Sequence, residues 1–503
     1  MAILNSVITW IMKKRIHQIE LFMKYPHDVQ NEWFKKLISS AKDTEFGNKY
    51  DFSSISSYSQ FNERVPINNY NSLKPYIDRL RKGEQNLLWP SDVKWFAKSS
   101  GTTAGKSKYI PVSRDALEEC HFKGGKDLLS IYVNNHPDTL IFDGKTVAMG
   151  GSHNISEVNN EEYYDGDLSA ILIQNLPFWA QILRTPNLEI ALMDEWESKI
   201  EKMALSTMQH NVTTLSGVPS WTMLLVKKVL ELSGETHIKA IWPNLELFVH
   251  GGVKFEPYRK QFDTLIGSHI NYQDSYNASE GFFGIQDQCD SNELLLMLDY
   301  GIFYEFIAMI DIDKENPKVI PLFEVQKNVN YAMLISTNAG LWRYKIGDTV
   351  VFTSLKPYRI LITGRTRYFI NLAGEELIQD NAEKALEIAC KKCGAVVNEY
   401  MAGPAFALNG DPNGHEWLIE FAVPPKEEAV FADALDNALK SKNSDYEAKR
   451  YKSLILQAPI VRLMPKGTFY SWLRNKGKLG GQHKVPRLVN KRDYLEEILK
   501  INE

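Results

Sequence analysis

Cysteine is scarce in this chain. Four cysteines in 503 residues cannot build a disulfide framework, and the count predicts a reducing, cytoplasmic setting. No uninterrupted apolar run reaches the ~18 residues that span a bilayer, so no membrane partner is expected. Residues 2–12 are largely apolar but contain Asn5, Ser6 and Thr9, and they precede Lys13-Lys14-Arg15. A secretory leader has the opposite order, with its charges first and a small-residue cleavage site last. The expectation is an amphipathic helix packed on the domain, with a membrane-surface helix as the alternative. Neither sign of charge is in excess: 58 Lys and Arg stand against 62 Asp and Glu, for a net charge of −4. A duplex-binding protein carries a basic surplus, so nucleic acid is not an expected partner. Internal repeats and low-complexity tracts are also missing.

What is present is an ordinary globular composition, 44% apolar and 24% charged, which excludes a largely disordered chain. The length exceeds one compact core, so more than one domain is expected. The first ~90 residues read as helices joined by short Pro-containing links such as Val65-Pro66 and Trp89-Pro90-Ser91. From Val93 the texture turns to short strands and Gly-rich turns with helices between. Pro219 suits the first position of a helix, where its missing N–H costs nothing, and Leu225, Val229 and Leu232 give that helix an apolar stripe. Residues 294–309 read as a hairpin around Asp299-Tyr300-Gly301. Residues 331–353 read as further strands with turns at Asn338-Ala339-Gly340 and Gly347-Asp348. The domain boundary is placed at Thr363-Gly364-Arg365-Thr366. A larger α/β domain, 1–362, then precedes a smaller α+β domain, 363–503, with a helix at about 379–393 and a strand near Trp417–Val423.

The segment most informative about chemistry is Lys98-Ser-Ser-Gly-Thr-Thr-Ala-Gly-Lys-Ser-Lys108. Glycines let backbone N–H groups turn toward an anion, hydroxyls add donors, and Lys106 and Lys108 add charge. A Walker A loop would need glycine at position 100, where this chain has Ser100, and a helix where Tyr109-Ile-Pro-Val112 reads as a strand. The segment is therefore read as a phosphate-type loop joining two strands, with a plain polar hairpin as the alternative. A second segment, Asp274-Ser-Tyr-Asn-Ala-Ser-Glu280-Gly281, places a carboxylate at a strand end, where it can hold a hard cation. In the third, Leu341-Trp-Arg-Tyr-Lys-Ile-Gly-Asp348, the carboxylate of a strand-to-strand turn can accept both hydroxyls of a ribose.

Taken together, Ser-Ser-Gly-Thr-Thr-x-Gly-x-x-Lys, Tyr-x-Ala-Ser-Glu and Tyr-x-x-Gly-Asp resemble the motif set of the auxin-responsive acyl-acid amido synthetases, in the adenylate-forming superfamily. The similarity extends to Val65-Pro-Ile-x-x-Tyr70, Tyr76-Ile77, Gly83-Glu84 and Leu88-Trp-Pro90, and to Pro465-Lys-Gly-Thr-Phe469 and Gln482-His-Lys-Val-Pro-Arg487. It covers nearly the whole chain. The resemblance implies that Ser99, Ser100, Gly101, Thr102, Thr103 and Lys108 line the phosphates of ATP. It implies Tyr276 against the adenine with Ser279 nearby, Glu280 on Mg2+, and Asp348 on the ribose. Gly251-Gly252 would run beside the nucleotide, Gly364-Arg365 would be the hinge, and Lys484 would contact acyl carboxylate and phosphate. Val218 and Trp221, in Leu215-Ser-Gly-Val-Pro-Ser-Trp221, are the acyl-site candidates. The chain departs from the pattern at Lys345, where the family has Arg, a change that keeps charge and loses the bidentate fork. It departs again at Arg367 and Tyr368, where the superfamily hinge carries an acid.

The implied reaction is Mg2+- and ATP-dependent adenylation of a small carboxylic acid, followed by transfer to an amino acid amine, by a monomer. Such chemistry needs cations against a developing charge rather than a side-chain nucleophile, and no nucleophilic triad stands out. Two alternatives stay open at this point: transfer to a thiol such as coenzyme A, and a relative that binds nucleotide or acid without turnover. Cys390-Lys-Lys-Cys393 has metal-site spacing, yet both cysteines continue the apolar stripe of Ala382, Ala385, Leu386 and Ala389, and no second pair exists. They are read as core, His250 and His483 as structural, and Tyr446-Glu-Ala-Lys-Arg-Tyr-Lys452 as a solvated helix face. Pro177-Phe178-Trp179 is an aromatic step read as pocket or core.

Overall fold

The computed structural model describes residues 2–99, 108–151, 153–158, 161–252, 255–289, 291–312, 314–366, 369–370, 372, 375, 377–406, 412–443, 446–447, 450, 456–477, 484–489 and 491–501. The chain divides into a larger unit, Met1–Ile346 with Val351–Leu361, and a smaller one, Gly347–Val350 with Ile362–Glu503. The first is mixed α/β and the second α+β.

The larger unit opens with helices Ala2–Lys24, Pro26–Ala41, Glu45–Lys49, Tyr58–Arg64 and Tyr70–Leu80. Asn69 caps the last of these by accepting from the backbone N–H groups of Asn71 and Ser72. Met12, Ile19 and Phe22 bury one face of the first helix. Arg15 lies on that face and donates from Nε to Asp127 at 2.6 Å. Trp10, Ile11 and Leu21 remain exposed. A helix thus spans the segment expected to form one, and from residue 8 onward its side chains divide into a buried and an exposed set. Among the described residues no helix is long and apolar enough to cross a membrane.

The principal sheet runs in the order Val319–Pro321, Ile302–Ala308, Asn330–Thr337, Tyr344–Leu355, Tyr358–Arg365, Leu294–Leu296, Gly281–Ile285, Asn271–Ala278, Leu247–Gly251, Val212–Gly217, Lys145–Ala148, Arg184–Thr185. From Asn271–Ala278 to Arg184–Thr185 neighbouring strands are parallel, so their carboxyl ends share one edge. Helices Trp196–Thr207, Pro219–Ser233 and Glu256–Ile266 supply crossovers between them. Pro219 opens its helix as expected, and Gly234, at φ 73°, closes it in the left-handed region. Leu225 and Val229 are buried there, but Leu232 is exposed. The stripe is carried instead by Leu225, Val226 and Val229.

Two expectations fail in this sheet. Leu294–Leu296 and Ile302–Ala308 do not pair as a hairpin: the first lies between Gly281–Ile285 and Tyr358–Arg365, the second between Val319–Pro321 and Asn330–Thr337. The link between them is drawn into the core rather than reversing at the surface. Tyr300 is fully buried and donates to Asp127 at 2.8 Å, while Asp299 takes Lys123 at 2.8 Å and Arg15 at 3.1 Å. Nor does Gly347-Asp348 form a turn. It lies inside the continuous strand Tyr344–Leu355, where Gly347, at φ 95°, twists the backbone locally. The turn at Asn338-Ala339-Gly340 is present, with Gly340 at φ 84°.

In the smaller unit helices Gln379–Cys393 and Glu428–Lys442 share a core with the sheet Val396–Phe406, Pro412–Val423, Ile460–Met464. Trp417, Ile419, Phe431, Leu435 and Leu439 fill it. Cys390 and Cys393 are free thiols at its edge, as the helical spacing predicts. Of the Tyr446–Lys452 stretch, expected to be a solvated helix face, Glu447 is exposed but two other described residues turn inward, and 448, 449, 451 and 452 lie outside the described residues. Tyr446 and Arg450 are buried, and both bond to Asp436, at 2.8 Å and 2.7 Å. The charged run hides a buried ion pair that its composition does not announce.

Candidate functional site

The phosphate-type loop is built on Trp95–Ser99 and Lys108–Val112, which pair antiparallel with Ser99 directly opposite Lys108. Phe96, Ala97, Ile110 and Val112 are buried and hold the hairpin to the domain, with Phe96, Ile110 and Val112 each contributing on the order of 1.5–3 kcal/mol. The strand after the loop is the feature that separates it from a Walker A loop. Ser100, Gly101, Thr102 and Thr103, with Lys106, lie outside the described residues. The second strand is braced from outside: Tyr109 N donates to Tyr70 Oη at 3.0 Å, and Arg81 stacks 3.7 Å from the Tyr109 ring centroid while pairing with Asp165. Lys108 stands 5.9 Å from the Tyr70 ring centroid.

The carboxyl ends of the parallel strands form the edge where open α/β sheets take their ligands. Leu247–Gly251 ends there, and a Cβ on Gly251 would sit 2.4 Å from the Ser275 carbonyl oxygen, so only glycine fits. Gly252 follows at φ 78°. His250 is buried and stacks on Phe255 with ring centroids 4.2 Å apart, while its Nδ1 lies 3.4 Å from Asp274 Oδ1. His483 lies outside the described residues. On the neighbouring strand Val218 follows Gly217 and caps the Pro219 helix. It is half-buried, and half-buried Trp221 packs against the core around Leu215 and Trp242. Phe178 is 79% exposed, so the aromatic step at 177–179 places it neither in pocket nor in core.

Asn271–Ala278 and Gly281–Ile285 form a hairpin whose two-residue turn is Ser279-Glu280. Tyr276 is buried with its ring edge-on to Phe283 at 4.8 Å. Ser279 is buried too, and its Oγ has no hydrogen-bond partner among the described residues. An orphaned buried hydroxyl beside a half-buried carboxylate is a place where a ligand completes the bonding. No cluster of three or more His, Cys, Asp or Glu able to hold a metal occurs among the described residues. Mg2+ commonly takes one or two carboxylates with substrate phosphates and water, and Glu280 offers a donor of that type at this turn.

The smaller unit brings together Asp348, Arg365 and Lys484. Arg365 Nε donates to Asp348 Oδ1 at 2.9 Å; the carboxylate is buried and the guanidinium exposed. Thr366 N donates to Gly347 O at 2.8 Å, and Thr363 to Thr349 between hydroxyls at 2.8 Å, which fixes this pairing. Burial by surrounding protein, with a smaller push from Arg365 and an opposing pull from Asp348, brings Lys484 down to about 8. Its side chain nevertheless keeps an exposed surface, and water there screens the effect, so about 8 is a lower bound.

Lys345 belongs to the larger unit. Its N–H donates to Asn68 O at 2.8 Å, tying the strand to the helical lead-in. The sequence reading passed over Arg343, two residues earlier. It is buried at φ 44°, binds Glu305 through Nη2 at 3.0 Å, and donates to the carbonyls of Asn62 and Val65. A buried arginine has no sequence signature, and its nearest signal was the motif beside it.

Three family models match the chain: the GH3 family N-terminal domain over residues 15–270, the GH3 family central domain over 295–365 and the GH3 family C-terminal domain over 380–493. Among curated relatives, the indole-3-acetic acid-amido synthetase GH3.3 of Arabidopsis thaliana is 22% identical, over 95% of this chain and 92% of the relative. The jasmonoyl-L-amino acid synthetase GH3.5 of Oryza sativa subsp. japonica is 24% identical, over 95% of each. Among solved structures, the GH3.15 acyl acid amido synthetase has the same fold, with a TM-score of 0.80 at 15% identity over 97% of this chain and 96% of that one.

Proposed function

The chain belongs to the GH3 family, and from that we propose that it is an ATP-dependent acyl-acid amido synthetase. The observation that carries this reading is the match of all three family domains, with relatives named as amido synthetases covering nearly the full length of both chains. In the first half-reaction a carboxylate oxygen attacks the α-phosphorus of ATP. A new P–O bond forms, the bridge to the β-phosphate breaks, and pyrophosphate leaves. In the second an amino acid nitrogen attacks the acyl carbonyl, loses a proton, and displaces AMP as the C–N bond forms.

The residues on hand suit these steps. An anion attacking an anion needs cations arranged in advance, and Lys108, Lys345 and Lys484 are the candidates to supply them. Ser99, with Ser100, Gly101, Thr102 and Thr103, would cradle the phosphates; Tyr276 and Ser279 would border the adenine. Asp348, oriented by Arg365, would accept the ribose hydroxyls. Gly251 and Gly252, lacking Cβ atoms, would let the nucleotide come close to the chain, and Val218 and Trp221 would face the acyl group. Glu280 would hold Mg2+, which when bound offsets phosphate charge. We infer a monomer working in a reducing cytoplasm; four free cysteines support that setting.

Isotope exchange between pyrophosphate and ATP, with magnesium and a pool of aryl, indolyl and fatty acids, tests the first half-reaction without knowledge of the amine. Acid-dependent exchange is expected. Its absence from a chain shown to bind ATP would favour a binding protein without turnover. Mass detection of amide against thioester, with amino acids and coenzyme A supplied together, then separates the two acceptors, and amide is expected. In the same assay Glu280→Gln is expected to lose at least about tenfold in activity and to need more magnesium for half-maximal exchange. Unaltered magnesium dependence would remove Glu280 as the metal ligand.

A further inference from the structure

The helix that follows the phosphate hairpin is interrupted by a π turn. Arg114–Ala116 is α-helical, Leu117–Phe122 is π-helical, and Lys123–Asn135 is α-helical again. π turns are rare, their hydrogen bonds are no better than those they replace, and they gather at functional sites. The segment Leu-Glu-Glu-Cys-His-Phe contains no glycine or proline to force one.

Its effect is visible in where Cys120 and His121 point. His121 is buried, and its Nδ1–H donates to Asn277 Oδ1 at 3.1 Å. Burial pushes this imidazole down to about 4, so the ring stays a neutral donor. Cys120, one residue earlier, accepts at Sγ from the backbone N–H of Phe282 at 3.2 Å. Gly124 then lets the helix close onto the Phe282 ring, since a Cβ there would lie 2.6 Å from it. Asn277 and Phe282 are not two arbitrary neighbours. They face each other across the hairpin ladder; the next pair is Ala278 with Gly281, and beyond it comes the Ser279-Glu280 turn. The ladder shifts register just after Phe282, where that residue's N–H has gone to sulfur.

The same helix is joined to the phosphate hairpin with almost no slack. Only Ser113 separates the strand Lys108–Val112 from Arg114. Ser113 itself is buried: its Oγ donates to Asn338 O at 2.6 Å and accepts from Ala116 N at 3.0 Å.

We propose that the π turn is a clamp that grips both strands of the hairpin one pair below its tip and thereby fixes Glu280 relative to the strand Lys108–Val112, with His121 and Cys120 as positioning residues. The proposal rests on reading Glu280 as the magnesium ligand. An ordinary α turn would carry Cys120 and His121 round to other directions, and neither bond would form. Displacement of a reacting group by about 1 Å costs on the order of 100-fold in rate, so a clamp at this point has a measurable effect.

The test uses the full chain and compares His121→Phe, which keeps volume and loses the donor, with His121→Asn, whose amide can donate from the place of Nδ1. In acid-dependent pyrophosphate exchange His121→Phe should raise the magnesium concentration for half-maximal rate about tenfold and lower kcat, with KM for the acid unchanged. His121→Asn should restore most of both. A side chain that only fills the core would lower the thermal midpoint in both variants and leave the magnesium dependence where it was. That result in folded protein would overturn the clamp. If His121→Phe fails to fold, Asn277→Ala removes the same bond from the half-buried side and should shift magnesium dependence alike; no shift there overturns the proposal as well. Binding of ATP with and without magnesium, measured by calorimetry, separates this idea from the functional reading. Unaltered chain that binds magnesium-ATP but shows no exchange defeats the reading alone, whereas equal magnesium-ATP affinity in unaltered and His121→Phe chains defeats the clamp alone.

Discussion

Replacing Lys484 with alanine is expected to lower acid-dependent pyrophosphate exchange by about 10²–10³-fold while leaving the chain folded, the range seen when one preorganised group facing transition-state charge is removed. The backbone around it does not depend on the ammonium. Val489 N donates to Ala402 O and Ala402 N to Arg487 O, both at 2.9 Å, so the segment is laid against the strand Val396–Phe406. Val485 and Leu488 bury their side chains beside it, and Arg487 pairs with Glu399. The sign of the charge effect agrees. A lysine held below its ordinary 10.5 opposes folding while charged, and that cost eases as pH rises from about 8 toward 10.5. Alanine at 484 therefore keeps or slightly raises the thermal midpoint at neutral pH. Catalysis runs the other way: the charged form fades between about 8 and its ordinary 10.5, so exchange should decline across that range. Lys484→Arg should lose part of the rate and flatten the alkaline limb. A Lys484→Ala variant with an unchanged rate would take Lys484 out of the mechanism.

The largest expected effect on stability lies at Arg343. Arg343→Met leaves the fully buried Glu305 without its cation, and breaking such a pair costs about 3–5 kcal/mol. Only the Tyr58 hydroxyl, donating to Glu305 at 3.0 Å, would remain among its charge-directed partners. Burial already holds this carboxyl above the usual range against the pull of Arg343, and without that pull it rises further. Protonation of the folded form alone makes the variant gain stability as pH falls. At about 2 °C or less per kcal/mol in a domain of this size, the thermal midpoint should drop by up to roughly 10 °C at pH 8 and by less at pH 5.5. The double variant Arg343→Met, Glu305→Leu should recover much of the loss. An equal deficit at both pH values, or no recovery, would mean that packing rather than charge is what Arg343 supplies.

Local signals proved readable and distant pairings did not. Helix Gln379–Cys393 declares itself through a repeating apolar stripe, and Pro219 marks its own helix start. Ser99 and Lys108 bracket a loop whose strand-to-strand character follows from Tyr109-Ile-Pro-Val112 alone. By contrast, Asp299-Tyr300-Gly301 has the composition of a turn, and only Asp127, far off in sequence, explains why Tyr300 goes inward. Asp436 likewise draws Tyr446 and Arg450 of the next polar run inward. In the site, residue types were legible while their pairing was not: nothing local says that Arg365 meets Asp348 or that a π turn aims His121 at Asn277.

The bond from Arg15 to Asp127 spans 112 residues and the one to Asp299 spans 284. During synthesis at 5–20 residues per second the first helix therefore leaves the ribosome roughly 15–60 s before its last ionic partner is made. Met12 waits almost as long, because its cover in the fold runs from Tyr132 and Phe142 to Leu247, and its side of the helix stays open on the growing chain until they are made.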